Sequence, residues 1–378
     1  MIDAMINRFL QPQLESMLGS HKAIIVMGAR QVGKSTLLQL LLGQRQDVLW
    51  LNGDNNDVQT LFTAISAERM HSLMGTKRVL VIDEAQRIPN IGVQLKIIID
   101  QLSDVQVIAT GSSSFELASK VNEPLTGRKR EFKLFPLTFN EMVEHSSLIE
   151  ELRLIPHRLV YGYYPEVVAN PGQEANILKE LTDSYLYRDI LTLDKVAKSD
   201  KLVLLLKALA MQIGSQVSYN ELSGLVGIDA KTIERYITVL EQSYIIFRLG
   251  SFSRNLRNEL KFSKKIYFWD MGIRNAVIGN FSLAETRSDI GAMWENFAIA
   301  ERMKQINYRH PFAQSYFWRT KQQTEIDYIE ELDGSLRAFE FKWNERKSPR
   351  CPLAFSNAYP DASFSAITPS NIDDFLRL

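Results

Sequence analysis

Residues 24–36 read IIVMGARQVGKST, and the reading of this stretch decides the fold of the first third of the chain. The apolar, β-rich run Ala23 to Met27 enters a glycine-bearing turn, and Thr36 to Leu42 continues with helical spacing. Gly28, Ala29, Arg30, Gln31, Val32, Gly33, Lys34 and Ser35 fill the pattern G-x-x-x-x-G-K-[ST] in the strand-then-helix context that it requires. Glycines let the backbone turn its N–H groups inward, and the helix N-terminus adds partial positive charge, so the loop suits a row of phosphates. Lys34 has the reach for β- and γ-phosphates, and the Ser35 hydroxyl is a ligand for magnesium. Thr36 completes the loop residues expected to hold ATP.

Residues 78–89, RVLVIDEAQRIP, supply the partner. Val79 to Ile82 is an uninterrupted apolar run of the kind buried in parallel sheets, and it ends in Asp83 and Glu84. Asp83 is placed to hold magnesium, and Glu84 to polarise an attacking water as general base; a solvated loop carboxylate is the alternative for Glu84. A further strand, Val105 to Thr110, runs into Gly111 and Ser112–Ser114. Ligands of parallel sheets sit beyond the carboxyl ends of strands, so Thr110 and Ser112 are candidates for sensing a γ-phosphate, against a plain serine-rich turn and helix cap. Leu125-Thr-Gly-Arg128-Lys-Arg130 precedes an expected strand from Phe132 to Leu137. Arg128 is a candidate for stabilising phosphate charge, within one chain or across a homo-oligomer contact, with a solvated basic turn as the alternative.

The order of phosphate loop, DEAQRIP, TGSSS and LTGRKREFKLFPLTFNE resembles the prokaryotic AAA+ (STAND-like) P-loop ATPases that carry a C-terminal domain of unknown function. GYYPEV at 162–167, YRDI at 187–190 and WDMG at 269–272 extend the resemblance over nearly the whole chain. It implies an ATPase core, a winged-helix segment and a nuclease-like terminal fold, and implies no substrate.

The layout agrees with an α/β protein whose P-loop NTPase (AAA+/ASCE-like) parallel sheet is followed by a helical and winged-helix middle and a nuclease-like α/β end. Expected boundaries are 1–140, 141–200, 201–285 and 286–378. A short amphipathic helix should precede the first strand, with Arg8 and Phe9 as candidates for adenine contact or for packing. Strands are expected at Asp47–Leu51 and Thr76–Ile82. Tyr161–Tyr164 reads as core. Between 202 and 250, an amphipathic helix, a Ser218-capped helix from Tyr219 to Val226, a second from Ala230 to Gln242 and a strand from Ile245 to Leu249 have the shape of a winged helix-turn-helix. On that reading Lys231, Thr232, Glu234 and Arg235 would face DNA bases. Arg248, Arg254, Arg257, Lys261, Lys264 and Lys265 would form a phosphate-tracking strip, against a protein contact or a solvated hairpin.

Near the C-terminus, Glu295 falls on an expected helix (Gly291 to Lys304), Asp327 on a strand, and Glu340 and Lys342 two apart on another strand and hence on one face. This set resembles the PD-(D/E)xK nuclease superfamily. Asp327 and Glu340 would then bind magnesium with Glu295 assisting, and Lys342 would orient water; carboxylate–lysine pairing is the alternative.

The chain has 378 residues, with 44 basic and 44 acidic side chains, so global charge favours no polyanionic partner. A single cysteine, Cys351, excludes an internal disulfide, and no apolar run reaches membrane-spanning length, so a cytoplasmic protein is expected. The expectation is a magnesium-dependent ATP hydrolase acting with DNA, the alternative a nucleotide switch that binds a protein partner.

Overall fold

The structure, a computed structural model, describes residues 5–63, 66–112, 124–183, 199–253, 264–346 and 349–377. The described residues form two compact units, one from residue 5 to Pro136 with Gln242–Tyr244 and the other within Leu137–Glu241 and 245–377.

The first unit is built on β1 (Ala23–Met27), β2 (Val48–Asn52), β3 (Val79–Asp83), β4 (Gln106–Gly111) and β5 (Lys129–Lys133), parallel throughout in the order β2-β3-β4-β1-β5. β1 and β4 are buried along their whole length; β1 is accordingly an unbroken apolar run, while β4 also buries the polar Gln106 and Thr110. The edges differ: β5 is the charged segment KREFK, a composition that discourages further pairing. Pairing of Met27 with Gly111, Ile82 with Ala109 and Asn52 with Asp83 brings the strand tips to one edge. The helix Lys34–Leu42 starts there.

One expected strand is displaced. The apolar stretch Phe132–Leu137 is not β5; the strand is Lys129–Lys133, and Leu134 and Phe135 follow it as buried loop residues. Pro136 has no N–H to give to a ladder, and the edge beside β1 is filled by the preceding charged residues.

The second unit begins at Leu137. Thr138 and Glu141 close a capping box on the helix Phe139–His145, and Phe139 N donates to Glu301 Oε2 at 2.8 Å. Helices follow at Leu148–Tyr161, Pro165–Ala169, Glu174–Leu181 and Ser199–Met211. Ser218 Oγ caps Tyr219–Val226, Gly227 ends that helix with a φ of 73°, and Ala230–Gln242 comes next. β6 (Gln216–Val217), β7 (Ile246–Ser251) and β8 (Lys264–Phe268) pair antiparallel. β7 then pairs in parallel with β9 (Gln314–Arg319), and β10 (Glu325–Leu332), β11 (Ser335–Phe341) and β12 (Ser363–Ile367) complete one sheet in the order β12-β11-β10-β9-β7-β8-β6. The boundaries expected at 200 and 285 therefore divide a single compact unit, because the free edge of β7 is satisfied by β9.

The helix Ile290–Arg309 lies in the core of this unit and buries charged as well as apolar residues. Arg302 clasps Glu330 of β10 with two bonds, Nε–Oε2 at 2.7 Å and Nη2–Oε1 at 2.8 Å, both residues being at most 2% exposed. Arg302→Met strands a buried carboxylate and should cost about 3–5 kcal/mol. Arg302→Met with Glu330→Leu should recover most of that loss, as read from urea unfolding midpoints.

Candidate functional site

At the carboxyl edge of the parallel sheet the loop after β1 is held from three sides. Gly33 (φ 91°) and Gln31 (φ 59°) adopt left-handed backbone, which turns the chain into the helix. Gly28 lies so close to the segment after β5 that a Cβ would meet the Leu134 carbonyl at 2.1 Å, and Leu134 N donates to Met27 O at 2.7 Å. Arg8 is buried and donates from Nη1 to Val32 O (2.8 Å) and from Nη2 to Phe135 O (2.6 Å). Of the two uses expected of it, adenine contact or packing, Arg8 has a packed place here, its guanidinium bonded to two backbone carbonyls.

Lys34 is buried, and its Nζ donates to the carbonyls of Gly28 (3.0 Å) and Ala29 (2.8 Å). Burial brings its pKa down to about 8, although Glu84 and Asp83 pull the other way and Arg30 adds to the lowering. An ammonium buried in a loop of this shape is suited to an anion. Ala29 and Val32 are buried, Arg30 half-buried, and Gln31 and Thr36 exposed.

Ser35 Oγ donates to Asp83 Oδ2 at 2.6 Å, so the loop and the tip of β3 meet. Thr110 Oγ1 donates to the other oxygen of Asp83 and accepts from Glu84 N at 3.1 Å. Thr110 is fully buried and its hydroxyl is engaged by Asp83. Ser112 also has a protein partner, accepting from Gln86 Nε2 at 3.0 Å. Glu84 itself stands in a left-handed conformation (φ 50°), and its Oε2 accepts from the same Gln86 nitrogen at 2.5 Å.

For Arg128 the role within its own chain is corrected. Its carbonyl accepts from Ala23 N at the amino end of β1, the opposite end of the sheet from the loop, and its Nε donates to Asp100 at 2.6 Å. A residue that precedes a strand parallel to β1 lies at that amino end, so Arg128 does not reach the phosphate loop of its own chain.

Among the described residues no group of three or more His, Cys, Asp or Glu is arranged to hold a metal. One hydroxyl and one carboxylate, Ser35 and Asp83, nevertheless fit magnesium, which keeps waters and takes substrate phosphates as its remaining ligands. Two contributors were missed in the sequence. Gln86 was quoted within DEAQRIP without a role. Gly53, which follows β2, donates from N to Asp83 O at 2.8 Å, and a Cβ there would meet the Glu84 carbonyl at 2.4 Å.

The C-terminal candidates also converge, with additions. Glu340 Oε2 lies 2.8 Å from Lys342 Nζ, and Asp327 Oδ2 lies 3.8 Å from it. Asp327 sits where the β9–β10 register shifts, and its Oδ2 accepts from Phe341 N at 3.0 Å. Burial and the neighbouring Asp327 raise the pKa of Glu340. Glu295 pairs with a different lysine: its Oε1 accepts from Tyr267 OH (2.7 Å) and Lys265 Nζ (3.1 Å), and Lys265 also pairs with Glu325. Burial raises Glu295 to about 7 against the pull of Lys265, with Asp327 adding to the rise. Burial opposes charge on Lys265, but Glu295 and Glu325 win and hold its pKa above the ordinary lysine range.

Lys265 is 1% exposed, so it is not part of a phosphate-tracking strip. Arg248 pairs with Glu241 and bonds Tyr219 OH and Thr238 Oγ1. Arg254, Arg257 and Lys261 lie outside the described residues, as does YRDI at 187–190, while Lys264 is half-buried. On the helix Ala230–Gln242, Lys231, Glu234 and Arg235 are exposed, whereas Thr232 bonds Asp229 through both N and Oγ1. GYYPEV and WDMG meet in the core: Asp270 Oδ2 accepts from Tyr163 N at 2.7 Å, and a Cβ on Gly272 would meet Tyr161 O at 2.1 Å.

With this geometry the first unit is a P-loop NTPase fold, and residues 20–143 match the family model of the AAA domain. Residues 152–284 and 290–372 match two domains of unknown function, DUF8612 and DUF4143. An uncharacterized protein of Mycobacterium tuberculosis is 28% identical over 328 residues, covering 85% of this chain and 71% of its own. One from Methanocaldococcus jannaschii is 24% identical over 409 residues, covering 98% and 88%. Among solved structures, Cdc6p from Pyrobaculum aerophilum aligns at 12% identity and a TM-score of 0.31, over 73% of this chain and 95% of that one. No helix among the described residues is long and apolar enough to cross a membrane.

Gly53→Ala must push the Asp83–Glu84 tip away, and should lower stability by about 1–3 kcal/mol in urea unfolding. Gly224→Ala, with open space around its helical position, should leave stability unchanged or raise it by about 0.5–1 kcal/mol.

Proposed function

We propose that this chain binds ATP with magnesium at Gly28–Thr36 and hydrolyses it. The observation that carries the reading is the 2.6 Å contact of Ser35 with Asp83 beside the buried Lys34. Ser35 and Asp83 would hold magnesium, which when bound neutralises charge across the β- and γ-phosphates. Lys34 binds the phosphate oxygens, while the N–H groups from Ala29 to Ser35 orient the chain of phosphates. Glu84, half-buried at the strand tip, accepts a proton from the attacking water.

Lys34→Ala should abolish ATP binding in calorimetry and phosphate release together. Glu84→Gln should keep ATP affinity while lowering the turnover number by about 10²–10⁴-fold. Equal phosphate release by wild type and both variants would remove the claim.

The nucleotide state is proposed to act on DNA through residues 201–285, where Lys231 and Arg235 are exposed. A protein partner is the second reading, and the internal pairing of Arg248 and Lys265 favours it. If DNA is the partner, duplex DNA should stimulate hydrolysis and binding should weaken steeply with salt. A stimulation that is absent, or binding that ignores salt, selects the protein partner.

The C-terminal set supports a weaker, nuclease-like proposal. Asp327 and Glu340 crowd two carboxylates together, a repulsion that a divalent ion would relieve, and Lys342 beside them can orient a nucleophile. A divalent ion held there would supply an activated water. Plasmid cleavage with magnesium or manganese, lost in Asp327→Ala, tests it; intact plasmid in wild type ends it.

A further inference from the structure

Gln86 is 2% exposed, on the short 3-10 turn Ala85–Arg87 that follows the β3 tip. Its Nε2 lies between two oxygens, Glu84 Oε2 at 2.5 Å and Ser112 Oγ at 3.0 Å. An ionised carboxylate only accepts, so the amide must turn its NH₂ toward Glu84, and the second proton of that NH₂ is then free for the Ser112 hydroxyl. Glu84 is further fixed through its backbone, since its N–H goes to Thr110 and its carbonyl faces Gly53. Of the two anchors, Thr110 lies at the end of β4, the strand next to β3, and Ser112 directly follows that strand.

Resting on the ATPase reading, we infer that Gln86 is the positioning residue for the Glu84 carboxylate, tying it to the tip of β4 through Ser112. A base on a left-handed turn, with a flexible side chain, has many rotamers in which its oxygen misses the attacking water. One amide holding one carboxylate oxygen selects among them and leaves the other oxygen for the water. A misplacement of about 1 Å at a reacting group costs on the order of 10²-fold in rate. The two bonds from Gln86 Nε2 run to Glu84 and Ser112, groups placed for the chemical step, so their loss is expected in turnover more than in substrate affinity.

The test is steady-state hydrolysis with ATP dissociation constants, on full-length wild type, Gln86→Ala, the isosteric Gln86→Glu, Ser112→Ala and Glu84→Gln. Gln86→Ala should lower kcat by about 10–100-fold with the ATP Kd within about twofold. Gln86→Glu should do at least as much, because it sets like charges against each other without changing shape. Ser112→Ala should cost less and add little to Gln86→Ala. In a Glu84→Gln background, Gln86→Ala should change nothing further. Unchanged kcat in both Gln86 variants, or a loss shared equally between kcat and Kd, overturns the inference and leaves the ATPase reading standing. A wild type that does not hydrolyse ATP overturns both.

Discussion

The 2.6 Å bond from Ser35 to Asp83 joins the start of the helix after β1 to the tip of β3, a strand that is not a neighbour of β1. β4 lies between β1 and β3, and its own tip supplies Thr110 to the same carboxylate. Segments at the carboxyl ends of three strands, far apart in sequence, therefore meet at one side chain. That meeting requires all three to be parallel and in register, so that their carboxyl ends share an edge. A register slip of one residue at β3 would turn Asp83 to the other face of the sheet. The close approaches at Gly28 and Gly53 serve the same end, because each admits a neighbouring carbonyl where a side chain would hold it off.

What the sequence disclosed and what it hid follow from how local each determinant is. The phosphate loop, its strand and its helix are encoded in consecutive residues, and so is the Ser218 cap. The role expected of Arg128 within its own chain fails on topology: β5 runs parallel to β1, so the residue before it lies at the amino end of the sheet, and the composition of a charged edge segment does not announce that direction. Lys265 was misjudged for a related reason. A lysine beside other basic residues looks solvated, and only the pairing of β7 with β9 brings the acidic Glu325 to cover it. Gln86 escaped notice because its contact with Glu84 depends on a left-handed backbone at a non-glycine residue, which no residue type announces.

The second unit shows how residues that look functional in a sequence can be structural, and the reverse. GYYPEV and WDMG, prominent as motifs, close on each other as a helix cap and two close-packed glycines. Glu301, Arg302 and Glu330 are buried charges whose partners are all within the fold. Such groups are costly to bury, and their pairing makes them specific to one arrangement. Asp327 and Glu340 differ from them in one respect: their mutual repulsion is only partly relieved by a single half-exposed lysine.

The two candidate sites thus differ in the sign of what they lack. Lys34 is a buried cation whose bonds go to neutral carbonyls, so its charge is uncompensated by direct contact and its pKa falls. Anionic phosphates supply what that environment wants, and bring no competing cation that must first be displaced. Lys265 and Lys342 are each clasped by carboxylates, and anything entering there must break an ion pair or bring positive charge of its own. An anion at the first site supplies a missing negative charge, whereas the second, with two carboxylates around Lys342, favours a ligand that brings positive charge. The same side-chain type therefore carries opposite weight at the two places, and the difference lies in the acceptors around it, carbonyl dipoles in one case and carboxylates in the other.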